Sequence, residues 1–268
     1  MHNNEEFMAK VRTPKHPLVA SDLFSRHTYR LDCLHVLDHN GVAGLVVGNI
    51  FALHLSTVND VIPGANQENR LDFLNDDIKG FYSTHSVQNR VPLLKLSNIF
   101  RDGFPELHGR AIKAANTRSL VAYALDLQKR AVDIDPNDVN HHALKIVQSL
   151  QTVYDILYSG KFFLTPNEVG TLHNKLTRMG VNYQLLATQT SAQGQLRWKQ
   201  TPKLHYAVGH MAMQAALINP RYVQTYGSEG LVGKVCQIFK KTMDGPYHAT
   251  VQRKILRKYK VGMFLEFS

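Results

Sequence analysis

The sequence predicts a mainly α fold, a compact multi-helix domain with at most a few short strands. Three observations predict it. Within residues 142–158, Ala143, Val147, Leu150, Tyr154 and Leu157 keep heptad spacing, and Gly160 supplies a stop. Thr165-Pro166-Asn167-Glu168 and Thr201-Pro202 each set a hydroxyl cap before a proline at the first helical position. No train of alternating apolar and polar residues runs along the chain. With 268 residues, 44% of them apolar, the chain can bury a substantial core in one large domain or two small ones. That composition excludes wholesale disorder.

The elements follow in order. The N-terminal run MHNNEEFMAKVR carries Glu5 and Glu6 and no long apolar stretch, so neither a signal nor a transit peptide is expected. Residues 32–55 are apolar, with Gly44 and Gly48 four apart, a spacing that lets another backbone come close. Residues 42–55 are too few for a membrane span and include Asn49 and His54. A polar turn and an amphipathic helix with Leu71 and Leu74 on one side are expected over 64–79. Around 85–100 the pattern breaks, and Val91, Leu93, Leu94 and Leu96 suit a short strand or an extended connector. Helix is expected again over 106–131, then over 142–158. The helix opened by Thr165 should end at Gly180, and the one opened by Thr201 should run to Asn219, where Pro220 stops it. The latter carries a core face of Leu204, Val208, Met211, Ala215 and Ile218. Two more helices are expected over 228–242 and 248–259, parted by the Asp244-Gly245-Pro246 turn.

Charge divides the chain. Residues 197–268 hold 12 basic and three acidic side chains, against 19 and 18 over residues 1–196. The expected organisation is therefore a helical body, 1–196, and a basic helical segment, 197–268, packed on the same core. A basic block on a near-neutral chain points to a polyanion, most simply nucleic acid, although a solvated basic face with no partner has the same signature. Two cysteines, Cys33 and Cys236, cannot make a disulfide framework or a four-cysteine zinc site. The expectation is a soluble intracellular protein.

Three groups of residues carry candidate chemistry. Asp32, His35 and His39 fall at i, i+3 and i+7, one face of a helix, with Asp38 beside them. This suits a carboxylate orienting an imidazole, or a metal held by two histidines one turn apart. His205 and His210 are five apart, roughly 140° around a helix, which argues against a shared metal. Glu229 opens an expected helix inside the basic block, where the helix dipole favours it; it also suits a divalent cation beside phosphate. Arg110 and Lys113 share a helical face, with Arg118 further on, among Ala111, Ala114 and Ala115. That set suits either a phosphate grip or helix packing through alanines. Along the last expected helix Arg253 and Arg257 lie one turn apart, as do Lys254 and Lys258. With Lys260, and with Lys234, Lys240 and Lys241 before it, they form a basic stripe. The chain has no Walker loop, GxSxG, strand-borne GxGxxG or CxxC pair, which counts against nucleotide hydrolases, esterases and dehydrogenases.

The run YRLDCLHVLDHNGVAGLVVGNIFALHL resembles the Asp-x-x-His region of DDE transposases of the CACTA and Kyakuja–Dileera–Zisupton type. There an aspartate and a histidine three residues on precede a long helical insertion. The run PKLHYAVGHM followed by YGSEGLVGKVCQIFKK resembles the end of that insertion, where a Pro-Lys-x-His helix precedes the last catalytic glutamate. Most of the chain, including LHGRAIKAANTR, is similar to mobile-element reading frames of algal protists. The resemblance implies a ribonuclease H-like core, Mg2+ or Mn2+ chemistry, DNA rather than RNA as partner, and a nuclear setting. It assigns Asp32, His35 and Glu229 catalytic roles, with Asp32 and Glu229 as metal ligands. Only 31 residues precede Asp32, too few for the sheet bearing the earlier aspartates. The expectation is therefore a C-terminal portion that binds nucleic acid without a complete active site: a decayed element, a split transposase whose missing aspartates a separate chain supplies, or a piece reused by the host. Two other readings stay open. One is a basic helical subunit of a larger assembly, ribonucleoproteins included. The other is an intact nuclease using Asp32, His35, Asp38 and Glu229.

Overall fold

The computed structural model describes residues 30–225 except 102. The chain divides into two compact units, Met1–Val223 and Gln224–Ser268, and the elements below belong to the first. The helices expected over 228–242 and 248–259 lie outside the described residues.

As the sequence predicts, the fold is mainly α. A π-helical turn, Leu34–Asp38, leads into α1, Val42–Ser56. There follow α2, Gln67–Thr84; α3, Ala114–Ile134; α4, Asp138–Leu157; α5, Pro166–Ala192; and α6, Pro202–Ala215. Between α2 and α3 an extended connector passes a 3-10 turn, Leu96–Asn98, and a two-stranded antiparallel ladder. In it β1, Phe100–Arg101, pairs with β2, Phe104–Pro105, with Phe100 opposite Pro105.

Helix α1 is the hub. It is apolar all round, and every residue except Leu53 and Ser56 is buried, as befits a helix surrounded by others. By length and composition Leu34–Ser56 would pass for a membrane span, but 83% of its most apolar window is buried inside the fold, the pattern of a core helix. The Gly44 and Gly48 spacing has the expected consequence. Leu107 N–H donates to the Gly44 carbonyl at 2.9 Å, and a Cβ on Gly48 would lie 2.5 Å from Leu107 N. Against this hub pack α3, α4 and α6, and α5 packs in turn on α4 and α6. The five heptad positions of α4 are all buried.

Three expected boundaries are corrected. Residues 106–113 are not helical: the backbone of Glu106 and Leu107 is drawn against α1, and His108 N–H bonds the Asn98 carbonyl, so α3 starts at Ala114. Helix α5 passes through Gly180 and continues to Ala192. Gly180 serves packing instead, because a Cβ there would press on Val208 of α6 at 3.0 Å. Helix α6 ends at Ala215, short of Asn219, whose N–H turns away to the Phe162 carbonyl at 2.9 Å.

Candidate functional site

The Asp32–His35 pair is built by its own backbone. Asp32 accepts from Leu34 N–H through Oδ1 at 3.0 Å, as an N-cap does, and from His35 Nδ1 through Oδ2 at 2.6 Å. The π-helical turn then closes as His39 N–H donates to the Leu34 carbonyl at 2.6 Å. Asn40 follows in the left-handed region at φ 47°, which turns the chain into α1. His35 and His39 meet edge to face with ring centroids 5.5 Å apart. Among the described residues no three His, Cys, Asp or Glu side chains form a group able to hold a metal.

Behind this turn lies a second carboxylate. Asp38 is buried, accepts from the Tyr154 hydroxyl of α4, and has the Arg118 guanidinium of α3 3.8 Å away. Arg118 also donates to the Tyr158 hydroxyl and stacks on that ring at 4.3 Å, while the Arg221 guanidinium lies 4.4 Å from the same centroid. Arg118, Ala122, Gln151, Tyr154, Asp155 and Tyr158 line an open cleft of about 460 Å3. Burial, with Asp38 and Asp32 adding to it, pushes the Cys33 thiol far above its ordinary range, so it is held as the unreactive protonated form. Burial likewise raises the Tyr158 hydroxyl. The described residues do not by themselves fit a two-cation centre. Both Asp32 oxygens already accept bonds within the turn, and Asp38 faces a guanidinium that opposes a divalent cation.

The turn is tied to α6. Thr201 caps that helix, accepting from Leu204 N–H at 3.4 Å. From its first turn Lys203 Nζ donates to the His39 and Asn40 carbonyls at 3.0 and 2.9 Å. Partial burial lowers the Lys203 pKa below the ordinary lysine range. Further along α6, the Gln214 amide accepts from Leu31 N–H at 2.6 Å and donates to the Leu31 carbonyl at 3.2 Å. Helix α6 thus holds the chain on both sides of the Asp-x-x-His turn, through Lys203 at one end and Gln214 at the other. His205 and His210 diverge around the helix, yet their rings lean together to 5.1 Å.

The remaining sequence-derived residues are dispersed. Arg110 is exposed in the turn before α3, and Lys113 is the N-cap residue of α3, so they do not share the helical face expected of them. Glu229, Lys234, Lys240, Lys241, Arg253, Lys254, Arg257, Lys258 and Lys260 lie outside the described residues. Sequence reasoning missed Tyr158, Arg221 and the buried Asn219. Their only signal was the Asn219-Pro220 turn dipeptide, read as a helix stop. No protein-family model matches the chain, and no curated protein or solved structure matches it either.

Proposed function

We propose that the chain is a transposase-type nucleic-acid-binding protein, with DNA as its preferred partner. The observation that carries the reading is the bond from Lys203 to the His39 and Asn40 carbonyls, across 164 and 163 residues of sequence. The resemblance concerns two runs, one opening a helical insertion and one closing it. Such runs must meet at the root of that insertion, and these two share a wall. The concentration of positive charge in residues 197–268 supports a polyanion partner. In this reading Asp32 and His35 are retained from the catalytic region, Glu229 is the third member, and further aspartates come from a separate chain. Mg2+ or Mn2+ would enter only with those.

Binding to one DNA duplex, measured from low to physiological salt, tests the reading. Neutralising about five phosphates gives a log–log slope near −4 to −5. Replacing Arg253, Lys254, Arg257 and Lys258 with glutamine should flatten that slope with folding intact. An unchanged slope in the quadruple variant, or salt-independent binding, refutes it. Nicking of the duplex by the chain alone with Mg2+ or Mn2+, lost in Glu229→Gln, would restore the complete-nuclease reading.

A further inference from the structure

Phe162 and Phe163, in the α4–α5 connection, are 48% and 68% exposed, and Tyr222, after α6, is 45% exposed. These three aromatic rings stand together. Phe162 lies 4.8 Å from Phe163 and 5.0 Å from Tyr222, centroid to centroid. Next to them the Arg221 guanidinium sits between Tyr158, at 4.4 Å, and Tyr222, at 6.0 Å. No carboxylate pairs with Arg221 among the described residues. Glu168, which follows the same connection, is paired with Lys161 at 2.6 Å and occupied in the Thr165 cap.

The ledge is built rather than incidental. Asn219, fully buried, donates through its side chain to the Leu157 and Lys161 carbonyls at 2.9 and 2.8 Å. Its backbone N–H takes the Phe162 carbonyl, its Oδ1 accepts from Arg221 N–H at 3.0 Å, and the Tyr222 hydroxyl donates to the Gly160 carbonyl at 2.8 Å. Two loops far apart in sequence are stitched into one support, and what they display is aromatic faces beside a guanidinium that no described carboxylate pairs. Packing does not require it, since an exposed phenylalanine pair contributes little to a core.

We propose that Phe162, Phe163, Tyr222 and Arg221 form a stacking platform for single-stranded nucleic acid. Rigid aromatic rings offer faces on which any base stacks, and an adjacent cation meets the phosphate that follows. A duplex, whose bases are already stacked, gains nothing from the rings. The inference rests on the nucleic-acid-binding reading and adds a strand preference to it.

The test compares a labelled oligothymidine with a duplex, using the full chain and its Phe163→Ala, Phe162→Ser/Phe163→Ser and Arg221→Gln variants. Loss of one stacked base is expected to weaken single-strand binding by roughly 5- to 100-fold in Phe163→Ala, with duplex binding unchanged. A 5-iodouracil oligonucleotide irradiated on the wild-type chain should crosslink to the peptide bearing Phe162 and Phe163. Trp198 emission reports that each variant folds. Salt-sensitive duplex binding with single-strand affinity indifferent to the ring variants refutes the platform and leaves the broader reading standing. Equal losses on both substrates also refute the platform. A wild-type chain that binds neither substrate removes both. If the ring variants instead abolish self-association of the chain, the ledge is a protein interface and the platform falls.

Discussion

Acidification should unlock the fold at His54. This residue sits buried in α1, with Nε2 3.1 Å from the Gln128 Oε1 of α3. Gln128 turns its amide nitrogen to the Asn140 carbonyl and side chain at 3.1 and 3.2 Å, which leaves only its oxygen for the imidazole. His54 is therefore the donor, and its neutral form satisfies the contact. Burial is the main reason that its pKa drops from 6.5 to about 4; the Gln128 bond opposes the drop, and Arg130 and Arg197 add to it. Because the folded pKa is depressed, the unfolded chain holds the extra proton between these values. Stability from this group is complete above about pH 6.5 and drains away as pH falls towards 4. The gap corresponds to about 3 kcal/mol. Urea unfolding followed by Trp198 emission, at several pH values, measures it in the wild type and in His54→Gln. The variant should be less stable near neutrality but should lose about 3 kcal/mol less on going to about pH 4. Other titrating groups are common to both proteins and cancel. Parallel pH profiles would refute the reasoning.

Three further predictions concern single residues of α1 and α2. Gly48→Ala forces a methyl to 2.5 Å from Leu107 N and 2.7 Å from Glu106 C, both backbone atoms. It should cost about 1–3 kcal/mol or more by urea midpoint. Gly80→Ala, mid-helix with nothing within 4 Å, should gain about 0.5–1 kcal/mol in the same assay. Asn49→Leu removes bonds to the Leu45 and Pro105 carbonyls at 2.8 and 3.1 Å and from Trp198 N–H at 2.8 Å. With the Pro105 carbonyl and the Trp198 donor left buried, the loss should be roughly 2–4 kcal/mol, and Trp198 emission should move to the red.

The helices were legible where a local signal sufficed. The Thr165 cap forms as its sequence implies: Thr165 N–H donates to Glu168 Oε2 at 2.8 Å, and Glu168 N–H returns to the Thr165 hydroxyl at 3.3 Å. Glycine was legible only in part. Gly160, at φ 85°, is the stop its position suggests, whereas Gly180 is a gap for Val208, and no local pattern separates these uses. The late start of α3 was hidden for a related reason, because Glu106 and Leu107 lie against glycines more than 50 positions earlier. At the candidate site the Asp32–His35 bond follows from spacing alone. The Asp38, Tyr154, Arg118 and Tyr158 cluster draws on three elements, and each residue carries only its own helix's periodicity in sequence.

The same division explains why the Lys203 contact carries more weight than any single motif. A carboxylate three residues from a histidine pairs locally in many helices, so the Asp32–His35 bond says little about ancestry or activity. A lysine that bonds two consecutive carbonyls more than 160 residues away is not a local accident. It loses solvation to reach them, which lowers its pKa, and it needs Asn40 in the left-handed region to turn those carbonyls outward. Gln214 repeats the arrangement on Leu31, so α6 grips the chain on both sides of Asp32 and His35. Helices α2 to α5 form a closed excursion between those grips, with their own buried polar clamps at Asn75 and Gln128. An excursion anchored at its root can vary in its body while the root keeps its geometry. The root is where Asp32 and His35 stand.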